Sequence, residues 1–329
     1  MDKSREVPVL DDVLGLREMS AETIGFILDQ AAEFRPILSR PIKKVPSLRG
    51  RWVCLLFYEP STRTRTSFEM AAKILSADAT NVAPSSSSIV KGESLRDTLL
   101  TLQSMGTDLI VMRHAASGAA AYAASVLDIP VVNAGDGMHE HPTQGLLDLL
   151  TLRQFKGRIA GLTVTIVGDI LHSRVARSNL LGLTKMGAHV RFAGPTTLLP
   201  ESFRDEGAEL FTSLEPALEG ADVVYVLRIQ KERQDAGLLP SFREYSRLFG
   251  VNAARLKLCA PDVIVMHPGP MNRGLEISAD VADAGYAVIN DQVTNGVAVR
   301  MALIYLLLGA RGTEGSALRP WPTGGEQEA

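Results

Sequence analysis

Two α/β domains, each a mainly parallel sheet covered by helices, with the active site in the cleft between them, are what this sequence predicts. Three observations carry that expectation. Short apolar runs recur along the chain with segments of helical period between them, the rhythm of parallel strands joined by crossover helices. Polar and charged residues gather just past the apolar runs, where open α/β sheets bind ligands. The chain's 329 residues are enough for two sizeable cores.

The first helix is expected over residues 21–34, and a strand over 52–58 that breaks at Pro60. Phe68, Ala71, Ala72 and Leu75 then fall at i, i+3, i+4 and i+7, which predicts a helix over 67–75. Helices at 95–105 and 118–127 alternate with strands at 108–112 and 129–133. Pro142 suits the first position of a helix over 142–155, taken as the hinge region. After Gly157 a second series begins, with strands at 162–167, 189–193, 221–227 and 262–266 and a helix at 173–186. Strands this apolar are usually buried on both faces. Segment 296–308 is apolar nearly all round, so it should be a buried helix, crossing back onto the first domain. The domains expected are therefore 1–142 with 295–310, and 143–294. The remainder, 311–329, is rich in Gly, Pro and Glu and reads as a disordered tail.

Hydrophobic residues make up 46% and charged residues 22%, ordinary for a globular protein. A net charge of −3 argues against a general nucleic-acid binder. The N-terminus lacks an apolar signal core and no run approaches the length of a membrane span, so no membrane is expected. Cys54 and Cys259 form no metal-ligand pattern, and so sparse a usage fits a reducing cytoplasm.

The densest chemistry is Glu59-Pro60-Ser61-Thr62-Arg63-Thr64-Arg65. It stands where a strand hands over to a helix N-terminus, with its unpaired N–H groups and the positive end of its dipole. With hydroxyls and guanidinium groups added, this is a site for a doubly charged phosphate. An ordinary cap by Ser61 is the plainer alternative, and the clustering outweighs it. Further strand ends lead to Arg113-His114, Arg174, Arg228-Ile229-Gln230 and His267-Pro268-Gly269-Pro270. His141-Pro142-Thr143-Gln144 opens a helix, which holds His141 and Gln144 together at its mouth. A neutral imidazole can donate to a carbonyl oxygen there, and Gln144 can bind an amide. His139 and His141 lack further spaced ligands, so no metal is expected. Gly168-Asp169 lacks the glycine spacing of a dinucleotide turn, and no acidic residue closes the next strand. The Ser-rich stretch 84–93 is either a flexible linker or a phosphate reach by Lys91, and the residues alone leave both open.

Taken together, Ser61-Thr62-Arg63-Thr64-Arg65, Arg113-His114, His141-Pro142-Thr143-Gln144 and Arg228-Ile229-Gln230-Lys231-Glu232-Arg233, in that order, resemble the aspartate and ornithine carbamoyltransferases over roughly residues 51–308. The resemblance implies transfer of the carbamoyl group of carbamoyl phosphate to the α-amino group of an amino acid, with no cofactor. It assigns Ser61, Thr62, Arg63, Thr64, Arg113, His141 and Gln144 to carbamoyl phosphate, with Arg63, Thr64, Arg113 and His141 catalytic. It assigns Arg174, Arg228 and Gln230 to the acceptor, and Gly269 and Pro270 to a domain-closure loop. Ser87 and Lys91 match residues that reach into a neighbouring subunit's site, which implies a homotrimer with shared sites. The His267 turn has no Cys, unlike the ornithine enzymes, and Arg228 suits an anionic side chain, so L-aspartate is the expected acceptor and pyrimidine biosynthesis the expected setting. Gly269 departs from members with a larger residue there, which leaves the loop's backbone contacts expected and its side-chain contacts in doubt. A regulatory chain or a pathway-enzyme partner is left open.

Overall fold

The computed structural model describes residues 10–82, 93–229, 237–238 and 241–309. Ser87, Lys91, Gln230 and the tail 311–329 lie outside the described residues. Two parallel sheets are present. The first contains β1 (Trp52–Phe57), β2 (Asp78–Val82), β3 (Leu109–His114) and β4 (Val131–Asp136), in the order β2-β1-β3-β4. Its helices are α1 (Ala21–Phe34), α2 (Thr62–Ile74), α3 (Leu95–Ser104), α4 (Ala119–Val126) and α5 (Pro142–Lys156). The second sheet contains β5 (Thr163–Val167), β6 (His189–Ala193), β7 (Ala208–Phe211), β8 (Val223–Val226) and β9 (Ile264–Met266), in the order β7-β6-β5-β8-β9. Its helices are α6 (Arg174–Lys185) and the short α7 (Leu214–Leu218), α8 (Phe242–Phe249), α9 (Ala253–Leu256) and α10 (Ala279–Ala282). Helix α11 (Ile289–Gly309) closes the described chain.

Both strands that the sequence reading omitted, β2 and β7, are sheet edges. β2 reads Asp-Ala-Thr-Asn-Val and none of it is buried, so it carries no apolar run to find. Alternation along the inner strands sends side chains to opposite faces. Val53, Leu55 and Phe57 of β1 enter one core, and Cys54 and Leu56 enter another. The first of these cores continues through Leu146, Leu149 and Leu150 of α5 to Val164 and Ile166 of β5. The two sheets thus share one apolar layer.

Helix α11 begins earlier than the expected 296 and packs on α1, α2 and α5. The expectation that no run approaches a membrane span needs correction here. At 21 residues α11 has the length and apolar composition of a span, and 78% of its most apolar window is buried inside the protein. Its apolar character belongs to a core helix wrapped on all sides.

Candidate active site

Strand order places the site. In the first sheet the order reverses between β1 and β3, and in the second between β5 and β8. Such a reversal leaves a crevice at the carboxyl ends of the two strands, because the helices that follow them leave on opposite faces. Arg63 and Thr64 follow β1, and Arg113 is the next-to-last residue of β3, paired across the ladder with Phe57. Arg174 follows β5 and Arg228 follows β8. The two crevices open into one cleft of about 930 Å³, lined from both units.

Ser61 is the N-cap of α2, yet its side chain makes no cap hydrogen bond. Ser173, by contrast, caps α6 by accepting from the Ala176 N–H at 3.1 Å. The plain capping reading of Ser61 therefore does not hold. Its hydroxyl and the first turn, Thr62, Arg63 and Thr64, line the cleft instead, where N–H groups and the helix dipole favour an anion.

The cleft is strongly cationic. Arg63, Arg113, Arg174, Arg228 and Arg300 line it, against Glu59 as the single lining carboxylate among the described residues. Glu59 Oε2 lies 2.9 Å from Arg174 Nη2 and 3.4 Å from Arg113 Nε. Arg174 Nη1 also donates to Gly137 O at 3.2 Å, and Arg113 Nη1 to Ala134 O at 3.2 Å. Arg174 thus leaves its own sheet and ties the second unit to the first. Burial, and then the neighbouring charge of Arg228, lower the pKa of Arg63. Two cations held close together are a repulsion that a bound anion relieves.

The loop after β9 forms another wall. Gly269 has φ +63, in the left-handed region that glycine tolerates. A Cβ added there would stand 3.2 Å from Arg63 Nε. The absence of a side chain at 269 therefore lets backbone approach the guanidinium. His267 Nδ1 accepts from the Gly269 N–H at 2.8 Å, which holds the turn. Pro270 follows through a cis peptide bond and also lines the cleft.

His141 and Gln144 meet at the mouth of α5 and both line the cleft. His141 is buried, its backbone N–H donates to Ser178 Oγ at 2.9 Å, and its ring Nδ1 has no hydrogen-bond partner among the described residues. Burial, and then the charges of Arg113, Arg174 and Arg300, hold the imidazole well below the ordinary histidine range. A neutral ring keeps one N–H to donate, as carbonyl polarisation requires. The expected result is that an NMR titration finds His141 still neutral as the pH falls below about 6.5. The unfolded chain binds a proton there that the fold refuses, so this residue's contribution to stability is lost on acidification below that value. An imidazole titrating near 6.5 would contradict this.

Three charged groups in or beside the site escaped the sequence reading, and two of them, Asp148 and Arg300, are buried. Glu59 precedes Pro60 in the richest motif and was overlooked among its cations. Arg300 is the lone cation in the apolar run of α11; its Nη2 donates to Thr143 Oγ1 at 3.3 Å, and its guanidinium lies 5.1 Å from the Phe68 ring centre. Asp148 interrupts Leu146-Leu147 and Leu149-Leu150. A lone charge inside an apolar helix was the available signal for the last two.

Comparison with known proteins agrees with this geometry. Residues 11–154 match the model of the aspartate/ornithine carbamoyltransferase carbamoyl-P binding domain, and residues 160–307 match that of the family's Asp/Orn binding domain. The chain is 62% identical over 302 residues to the aspartate carbamoyltransferase catalytic subunit of Heliobacterium modesticaldum, covering 92% of this chain and 97% of that protein. A crystal structure of aspartate transcarbamoylase from Trypanosoma cruzi in complex with carbamoyl phosphate and aspartate superposes with a TM-score of 0.83 at 30% identity, over 92% of this chain and 100% of that one. Ornithine carbamoyltransferase from Pyrococcus furiosus superposes with a TM-score of 0.82 at 30% identity, over 93% and 99%. With both halves matched in order around one cationic cleft, the chain belongs to the aspartate/ornithine carbamoyltransferase family.

Proposed function

We propose that the protein transfers the carbamoyl group of carbamoyl phosphate to the α-amino group of L-aspartate, giving N-carbamoyl-L-aspartate and phosphate. The observation that carries this reading is the pair of strand-order reversals facing each other, one with an open helix N-terminus and Arg63, the other with Arg228. One is suited to a phosphate, the other to a carboxylate.

In this reading Ser61, Thr62, Arg63, Thr64 and the α2 N-terminus bind the phosphate. Thr64, Arg113 and His141 surround the carbamoyl oxygen, and Gln144 holds the carbamoyl amide. The neutral amine of aspartate attacks the carbonyl carbon, a C–N bond forms, and negative charge develops on the oxygen. Each donor to such an oxyanion is worth about 3 kcal/mol. The C–O bond to phosphate then breaks, the attacking nitrogen gives up one proton, for which the departing phosphate is an available acceptor, and the charge of the leaving phosphate is stabilised by Arg63. Arg228 and Arg174 serve the carboxylates of aspartate, with Gln230 from the strand-end motif, and the Gly269-Pro270 turn closes over the phosphate side. Most of the rate gain comes from positioning and electrostatics.

The same reading divides the chain into a carbamoyl-phosphate domain, 1–142 with 295–310, and an aspartate domain, 143–294. It places the reaction in cytoplasmic pyrimidine biosynthesis. It makes the active unit a homotrimer, with Ser87 and Lys91 completing a neighbour's site. Exposed Trp52, Met105, Tyr122 and Met138 in the first half of the chain are apolar surface that a subunit contact would cover; a single-chain mass in solution would remove that part.

The deciding experiment is ureido-product formation from carbamoyl phosphate, with L-aspartate and L-ornithine in parallel. Product with aspartate alone is expected. Product with ornithine alone would keep the phosphate half and overturn the role given to Arg228.

A further inference from the structure

The mechanism above leaves the buried carboxylate of Asp148 unused, although three side-chain amides donate to it. Its Oδ1 accepts from Gln144 Nε2 at 3.1 Å and from Gln292 Nε2 at 2.7 Å, and its Oδ2 accepts from Asn179 Nδ2 at 2.8 Å. Those donors come from α5, α11 and α6. The Tyr225 hydroxyl on β8 lies beside it, and the charge of Arg300 faces it from α11. Three helices and a strand thus converge on one carboxylate.

An ionised carboxylate has no hydrogen to offer, so each amide must turn its NH2 toward it. Burial raises the Asp148 carboxyl to about 6, which leaves it ionised at neutral pH. Gln144 then has its carbonyl oxygen left for other partners, and the residue lines the cleft. Gln292, turned the same way, has its Oε1 accepting from the His267 N–H at 2.9 Å. His267 in turn holds Gly269, as described. One hydrogen-bonded path therefore runs from Gln144 through Asp148 and Gln292 to the turn beside Arg63.

We propose that Asp148 is a positioning residue that fixes which face of the Gln144 amide meets the substrate and links that choice to the placement of the His267–Pro270 turn. The proposal rests on the carbamoyl phosphate reading of the cleft. The carbamoyl NH2 needs an acceptor, which Gln144 supplies only while its own NH2 is held by Asp148. A flipped Gln144 would set two donors against each other.

The test is Asp148→Asn, which keeps the shape and can itself offer an NH2, so that Gln144 is free to flip. Binding of carbamoyl phosphate and of inorganic phosphate, which has no amide, is measured by calorimetry. The expected result is a loss of about tenfold or more for carbamoyl phosphate and less than about twofold for phosphate. In a Gln144→Ala background the same substitution should add no further loss for carbamoyl phosphate. Equal weakening of both ligands, or losses that simply add, would reduce Asp148 to a structural role and overturn the proposal. Should Asp148→Asn not fold, Asn179→Ala removes one donor to the same carboxylate and is expected to give the same selective loss at about threefold; a non-selective loss overturns the proposal there too. Failure of the parent reading shows separately, as wild-type protein that makes no ureido product from either amino acid.

Discussion

Arg63→Ala should cost about a thousandfold or more in kcat/KM while the protein stays folded. Arg63 stands on the first turn of α2, lines the cleft, and forms no ion pair among the described residues. Its guanidinium sits against the Gly269 backbone with the charge of Arg228 close by. The protein therefore holds Arg63 beside a second cation, and in the proposed reading a phosphate dianion at the α2 N-terminus relieves that repulsion. Hydrogen bonds to a charged group are worth roughly 1.5–3 kcal/mol each, and a guanidinium can make two to a phosphate. Losing both is about 4 kcal/mol, which corresponds to three orders of magnitude in rate. Stability should move the other way or not at all, because the substitution removes one cation from beside another. Steady-state kinetics and thermal unfolding on the same preparation check both parts. Turnover within tenfold of the wild type would sink the phosphate assignment, and loss of the folded state would mean that Arg63 is structural.

The second large effect is expected at Arg228. Arg228→Ala should raise the KM for aspartate by about a hundredfold and change the KM for carbamoyl phosphate only a few-fold. Removing one member of a desolvated charge pair costs 2–5 kcal/mol, and Arg228 follows β8 at the reversal of the second sheet, whereas the groups given to the phosphate belong to the first turn of α2. Arg174 is the poorer test of acceptor binding, although it follows the neighbouring strand. It already pairs with Glu59 and donates to Gly137 O, so its removal would also unhook the two units. If Arg228→Ala raised both KM values equally, the separation of the cleft into phosphate and dicarboxylate halves would be wrong.

The inner strands were legible because burial on both faces leaves an unbroken apolar run, as in Trp52–Phe57. The edges β2 and β7 were not, because no residue of β2 and only Ala208 of β7 is buried, whereas the edges β4 and β9 are buried throughout and kept their apolar runs. Helix α2 was expected several residues late, since its first turn is polar and belongs to the cleft, where function sets composition against helical period. For the same reason Arg113 reads as a loop residue in sequence and is part of β3 in the fold. Glu59, Asp148 and Arg300 show the opposite limit. Each is a single charged residue whose meaning depends on partners far along the chain, Glu59 on Arg174 and Asp148 on Gln292.

By itself the sequence determined the layer architecture and the stock of chemistry at each strand end. Side-chain period and strand-end polarity are local properties, and local patterning is enough to specify them. Which strand ends face one another was decided only in the tertiary structure. The reversals between β1 and β3 and between β5 and β8 follow from long-range strand pairing, and they bring Arg63 near Arg228. The protonation states were decided there as well. A histidine is neutral at position 141, and a carboxylate is surrounded by amides at position 148, because burial and neighbouring charge set the cost of ionisation, and neither exists until the chain has folded.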